Sequence, residues 1–161
     1  MVIVSNTSPL MNLAVIGRLD LIERLYNSVN IPEAVADELA AALPDQFSEQ
    51  VIKKISWLTV RSVMNRQMTE SLLLDLDAGE AEAIALSTEL KAGLLLLDER
   101  RGRNIAQRFG LKFIGLMGML IEAKRKGHVP AVKPILDELL ATAGFWVDNR
   151  LYARVLQEAG E

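Results

Sequence analysis

The chain contains no cysteine, which excludes disulfides and thiolate metal sites alike. Its single histidine, His128, rules out a histidine-rich zinc centre, so any bound metal has to be held by oxygen. Long apolar runs are also missing. Met1-Val2-Ile3-Val4 is far too short for a signal sequence or a membrane span, and nothing later approaches the run of about 18 apolar residues that a span requires. The expected setting is therefore a reducing cytoplasm, with no membrane partner. No Gly-rich phosphate loop of the GxxxxGK[ST] kind occurs, which argues against a phosphoryl-transfer or receiver-like protein with Asp98 as acceptor. Internal repeats and low-complexity tracts are absent too.

What the chain does have is 161 residues, half of them hydrophobic, enough for one domain with a real core. We expect a single domain over residues 1–161, with C-terminal helices within 130–159 packed on it. Its organising stretch is Gly79-Glu80-Ala81-Glu82-Ala83-Ile84-Ala85-Leu86, followed by Gly93, the leucines 94–97 and Asp98. At 3.6 residues per turn, Glu80, Ala83, Ile84 and Ser87 share one face, so Glu80 is expected to face inward and Glu82 and Glu89 to face water. Four leucines without alternation suit a strand buried on both faces of a parallel sheet. Asp98 then falls at the carboxyl end of that strand, where open α/β sheets place their ligands.

Around this centre, strands are expected near residues 2–5, 29–31, 57–60 and 112–114, each separated from the next by helical stretches. Thr7 or Ser8 is placed to cap the first helix, with Pro9 in its first turn. Pro32 opens a helix that carries Glu38 at the border of its buried face. Residues 65–78 read as a polar lead-in and a leucine-rich segment, and helices are expected over 101–109, 116–126, 130–143 and 151–159. Strands alternating with helices argue for an α/β fold, with a parallel sheet of about four to five strands and right-handed crossovers.

The net charge of −3 conceals an asymmetry. Between Arg100 and Lys126 there are eight Lys or Arg against one acid, Glu122. Either this is a solvated helix face, or it is a phosphate-facing patch beside an acidic pocket, as a nucleic-acid substrate would need. Four polar side chains hold comparable places along the chain: Asn6 after the first strand, Glu38 after the second, Glu80 at the start of the central helix, and Asp98. Three carboxylates ionised in one pocket raise each other's pKa unless a cation compensates them, and Mg²⁺ or Mn²⁺ is the oxygen-loving ion that does so. Each residue also has a plainer reading. Asp77 to Glu80 has capping-box spacing, Asp98 is positioned to cap the following helix, Glu38 suits a surface and Asn6 a turn.

The blocks Val2-Ile3-Val4-Ser5-Asn6-Thr7-Ser8-Pro9-Leu10, Ile31-Pro32-Glu33-Ala34-Val35 with Glu38, Gly79 to Ile84, and Leu97-Asp98-Glu99-Arg100-Arg101-Gly102-Arg103 resemble the PIN-domain proteins, most nearly a prokaryotic subfamily of toxin-type (VapC-like) ribonucleases. The ending from Gly144 to Glu161 is similar as well, so the likeness covers nearly the whole chain. It implies a three-layer Rossmann-like PIN fold with helices on both faces of the sheet. It further implies an Mg²⁺- or Mn²⁺-dependent ribonuclease, often the toxin of a toxin–antitoxin pair and usually a homodimer. Carried over by position, the catalytic set is Asn6, Glu38, Glu80 and Asp98. Glu38, Glu80 and Asp98 are the metal ligands, Thr7 and Ser8 the hydroxyls behind them, and Arg101 and Arg103 the contacts to RNA phosphates. Asn6 departs from the family, whose first acidic position is normally Asp, and this predicts weaker metal binding and a slower reaction. The alternative is a catalytically impaired member kept as a nucleic-acid-binding or antitoxin-binding module. In the C-terminal helices, the spacing of Ile135, Leu139, Leu140, Leu151, Val155 and Leu156 suits packing on the sheet. The other reading is a dimer or antitoxin groove with Phe145 and Trp146 as anchor.

Overall fold

The computed structural model describes residues 1–161. Its strands are β1 (Ile3–Ser5), β2 (Val29–Pro32), β3 (Leu58–Arg61), β4 (Leu94–Leu96) and β5 (Phe113–Ile114). They form one sheet in the order β3-β2-β1-β4-β5, every pair parallel. The helices are α1 (Thr7–Val15), α2 (Asp20–Tyr26), α3 (Glu33–Ala42), the short α4 (Pro44–Phe47) and α5 (Glu49–Ile52), then α6 (Arg66–Leu72), α7 (Ala78–Glu89), α8 (Arg100–Arg108), α9 (Leu116–Arg125), α10 (Lys133–Thr142) and α11 (Asn149–Glu158). This is the expected Rossmann-like α/β architecture.

Two apolar cores, one on each face of the sheet, explain the unbroken leucine run. Successive strand residues point to opposite faces, so Leu96 joins Ile3 and Ile31 in the larger core while Leu95 and Leu97 join Val4 in the other. Helices α1, α2, α9 and α10 supply the first core through Leu10, Leu13, Ile22, Leu120 and Leu136, with Val155 of α11 beside them. Helices α6, α7 and α8 supply the second through Leu72, Ile84, Leu86 and Ala106. An apolar residue at every position of β4 is therefore what a central strand with two covered faces requires.

Three local expectations are corrected. Thr7 and Ser8 do not cap α1, since the N-cap position is Asn6 and no side chain bonds the helix end. Residues 66–72 form a helix, α6, whose N-cap Asn65 accepts from the Met68 N–H. Glu82 does not face water: it is buried, and it accepts from the Ala34 N–H at 3.1 Å and from Arg66 at 3.3 Å. The reason is that α7 packs against α3, α6, α8 and the strands β1, β2 and β4, leaving no solvent face for periodicity to mark. Glu82 thereby satisfies an orphan donor in the first turn of α3.

The order of strands matters for function. The chain leaves β1 toward β2 on one side and later returns with β4 on the other, so the topological switch point lies between the carboxyl ends of β1 and β4.

Candidate active site

Asn6 and Asp98 stand at that switch point. Ser5 pairs with Leu96 across the two strands, and the Asn6 N–H donates to the Leu96 carbonyl at 3.0 Å, which sets Asn6 beside the chain that leads into Asp98. Asn6 is only 3 % exposed, and its Oδ1 has no hydrogen-bond partner. Asp98 directs Oδ1 at the Leu116 N–H, 2.9 Å away at the start of α9, so it serves that helix and not the α8 helix that follows it in sequence. Its Oδ2 is buried and unpartnered, and Arg103 Nη2 stands 3.8 Å from Oδ1.

Glu80 occupies the first turn of α7. Asp77 caps this turn by accepting from the Glu80 N–H at 2.8 Å, yet Glu80 Oε2 is buried without a partner. Helix capping thus accounts for Asp77 and leaves Glu80 unexplained. Glu38 reaches the same turn from α3, accepting from the Gly79 N–H at 3.0 Å and from the Thr7 hydroxyl. Through Thr7 it is joined to the residue after Asn6. Ser8 Oγ is a further buried oxygen without a partner.

Three glycines give these acids their places, and none was read in the sequence as making room for a carboxylate. A methyl group on Gly79 would run into the Glu38 carboxylate, one on Gly102 would come within 2.8 Å of Glu80 Oε2, and one on Gly115 within 2.6 Å of Asp98 Oδ1. Each carboxylate rests where a Cβ is missing. The available signal was Gly102 inside a helical pattern, where glycine costs about 1 kcal/mol relative to alanine unless close approach requires it.

Electrostatics agree with the geometry. Burial is the largest cause raising the Glu80 carboxyl, to about 8, followed by a side-chain hydrogen bond with Asp77 and then by the charges of Asp77 and Glu99. Burial also raises Asp98, opposed by the Leu116 N–H and the Arg103 guanidinium. Burial thus disfavours the anionic form of both acids, even with Arg103 Nη2 3.8 Å from Asp98 Oδ1. The free donors are all oxygen, as a hard divalent cation prefers. No three of the chain's acidic or histidine side chains stand close enough to hold one ion by themselves. The buried oxygens left without a partner are on Asn6, Ser8, Glu80 and Asp98, while Glu38 is engaged by Thr7 and the Gly79 N–H.

The family model described as a PIN domain matches residues 2–161. The chain belongs to the PIN-domain family. No curated protein matches it. PIN domains are a nuclease-type fold associated with nucleic acid and generally use divalent metal ions.

The basic segment divides in two. Arg103 lies against the site, donating from Nε to the Leu97 carbonyl at 2.9 Å and stacking over the Phe113 ring at 5.5 Å from its centroid. Arg101 lies beside Glu80 in a shallow cleft, but its guanidinium donates to the Asp75 carbonyl at 3.0 Å. At the far end, Lys124 binds the Ala159 carbonyl and Glu161, while Arg125 and Lys126 pair with Glu122. Lys124 thus ties α9 to the end of α11, Arg125 and Lys126 make surface pairs within their own segment, and the cations that reach the site are Arg101 and Arg103 of α8. Phe145 packs on the larger core and Trp146 is 79 % exposed. No helix is long and apolar enough to cross a membrane.

The raised Glu80 pKa makes a stability prediction. Because the native state keeps the Glu80 proton to higher pH than the unfolded chain, stability of the metal-free protein falls as pH rises from about 4.5 to about 8 and levels off above. Glu80→Gln, neutral throughout, should match the parent chain below that window. Above it, the variant should be the more stable by about 1–3 kcal/mol, the usual cost of an unmatched buried polar group. Urea melts in chelator at both ends of the window measure this, and an equal offset at both ends refutes it.

Proposed function

We propose that this PIN-domain protein is a metal-dependent endoribonuclease of the toxin type that hydrolyses RNA phosphodiester bonds. The observation that carries the reading is the set of buried, unpartnered oxygens on Asn6 and Asp98 at the switch point of the sheet and on Glu80 in the first turn of α7. Glu80, Asp98 and the Asn6 amide oxygen would hold Mg²⁺ or Mn²⁺, with Glu38 assisting. When bound, such an ion lowers the pKa of a coordinated water and stabilises charge developing on a phosphate.

The chain's own residues do the rest. Thr7 and the Gly79 N–H hold Glu38 beside the α7 turn, where its carboxylate is the group left to accept a proton from the attacking water. Arg103, anchored on the Leu97 carbonyl, orients Asp98 and presents its remaining N–H groups to a phosphate next to the scissile one. Arg101 steadies the loop before α7 through the Asp75 carbonyl and adds positive charge beside Glu80. An antitoxin and a second copy of the chain are the protein partners that belong with this role.

Purified protein should cleave single-stranded RNA with Mn²⁺ and lose that activity in chelator. Protein inert on every RNA with Mn²⁺ present would sink the proposal. A second reading rests on Asn6, which removes one negative charge from the site: the fold then persists as an RNA-binding or antitoxin-binding module. Calorimetry showing no Mg²⁺ or Mn²⁺ binding, with salt-sensitive RNA affinity retained, selects it.

A further inference from the structure

Two clefts flank the acidic site, and they differ in charge. One, beside Glu80, carries Asp75, Asp77 and Glu99 on its rim, and its single cation Arg101 is already bound to a backbone carbonyl. The other, of about 880 Å³, begins at Asp98 and runs between α8, the end of β5, α9 and α11. Its walls bring together Arg100, Arg103 and Arg154, with Phe113 and Met117 as apolar surface. Arg154 is fifty-odd residues from Asp98 in sequence and reaches the cleft only because α11 folds back over α9.

That return is deliberately fastened. Glu161, beyond the end of α11, accepts from the Val132 and Lys133 N–H groups at 2.7 and 3.0 Å, closing the start of α10, which has no capping side chain of its own. Lys124 of α9 donates to the Ala159 carbonyl at 2.6 Å, and Val155 is buried. With these ties α11 holds a fixed position, and Arg154 points along the cleft wall with only a long, exposed contact to Glu158 at 3.8 Å. An exposed pair of this kind contributes little, so the guanidinium is available to another anion. Arg100 is exposed and makes no ion pair. Arg103 has one face over Phe113, which holds its guanidinium plane in the cleft.

We propose that this cleft seats the nucleotide adjoining the scissile phosphate of a single-stranded RNA, with Arg100 and Arg154 holding its phosphate and the Phe113–Met117 wall supporting its base. The assignment rests on the ribonuclease reading above and adds the direction in which the strand leaves the acids: along α11, away from the Asp75–Asp77–Glu99 rim, where like charge repels phosphate. Cations lining an apolar trough are what single-stranded recognition needs, because charge tracks the backbone while bases lie on aromatic or apolar surface. Arg154 is accordingly a positioning residue for substrate, with no part in bond cleavage.

Fluorescence anisotropy of a labelled single-stranded RNA, measured in chelator across a salt series, tests this without catalysis. Arg154→Ala and the Arg100→Ala/Arg154→Ala pair should each weaken binding, on the order of tenfold per arginine, and should flatten the dependence of log affinity on log salt by about 0.7 per contact removed. Arg154→Lys should keep most of the salt slope. Arg150→Ala, exposed on the same helix but outside the cleft, should leave affinity and slope unchanged. With Mn²⁺, Arg154→Ala should raise KM and leave kcat and Mn²⁺ affinity near the parent values. If the parent chain cleaves RNA and Arg154→Ala binds it as well as the parent, the cleft assignment is wrong and the ribonuclease reading stands. If the parent binds RNA in chelator through Arg154 but never cleaves it with Mn²⁺, the cleft stands and the catalytic reading falls. A parent chain that binds no single-stranded RNA at all overturns the cleft assignment.

Discussion

Asn6→Asp should bind Mn²⁺ about 10- to 1,000-fold more tightly than the parent chain and cleave RNA faster. The side chain is nearly isosteric, and its Oδ1 position is buried without a partner, so the new carboxylate enters a place already shaped for an oxygen. Two unit charges about 4 Å apart at an effective dielectric near 20 interact by about 4 kcal/mol, equivalent to roughly three orders of magnitude. Part of this is offset, because the Asn amide oxygen already offers a dipole and because a new buried carboxylate loses hydration. Without metal the sign reverses. A third acid would join Glu80 and Asp98, both already raised by burial, so the apo variant should melt at a lower temperature than the parent at neutral pH. Calorimetric Mn²⁺ titrations and melts in chelator and in Mn²⁺ should therefore cross: destabilised apo, stabilised with ion. An Asn6→Asp chain with parental Mn²⁺ affinity removes the idea that position 6 limits the site.

Both effects follow from strand ends, and strand ends were the legible part of the sequence. A leucine run without alternation has few solutions in a chain of this length, and the sheet face assignments of Leu95, Leu96 and Leu97 follow from it. Once β1 and β4 are fixed, Asn6 and Asp98 fall at the switch point by counting. What could not be counted was tertiary enclosure. Glu82 faces the first turn of α3 because α7 is covered on every side, and a helical wheel has no way to represent a polar residue buried against another helix's N–H groups. Helix α6 escaped notice because its residues are mostly polar and only Thr69 and Leu72 are buried, too few to mark a face. The roles of Gly79, Gly102 and Gly115 are statements about absent atoms, visible only when the carboxylates they admit are placed. The basic run looked uniform in sequence, yet three of its eight cations pair with Glu122 or Glu161, and one cation of the substrate cleft, Arg154, lies outside the run altogether.

Asp98→Asn should remove Mn²⁺-dependent cleavage, by at least about a hundredfold, while the protein stays folded. The fold is spared because the contact that Asp98 makes to the scaffold needs only an acceptor: an Asn Oδ1 can still receive the Leu116 N–H now 2.9 Å away and so keep the start of α9 in place. What the substitution changes is the other oxygen. Oδ2, buried and unpartnered, becomes an amide nitrogen whose two N–H groups point where a cation would bind, replacing a negative charge with a donor of the wrong polarity. Arg103 loses the charge 3.8 Å from its Nη2 but keeps the Leu97 carbonyl and the Phe113 ring, so the guanidinium remains in the cleft. Single-stranded RNA should accordingly bind this variant in chelator at least as well as the parent, since one repelling charge beside the phosphate path is gone. Asp98→Ala separates the two jobs, because it also leaves the Leu116 N–H without its acceptor and should lower stability by about 1 kcal/mol beyond any loss of activity. Cleavage assays, anisotropy in chelator and urea melts on the three proteins read these outcomes independently. An Asp98→Asn protein that cleaves RNA at the parental rate with Mn²⁺ would place the reacting phosphate somewhere other than the ends of β1 and β4.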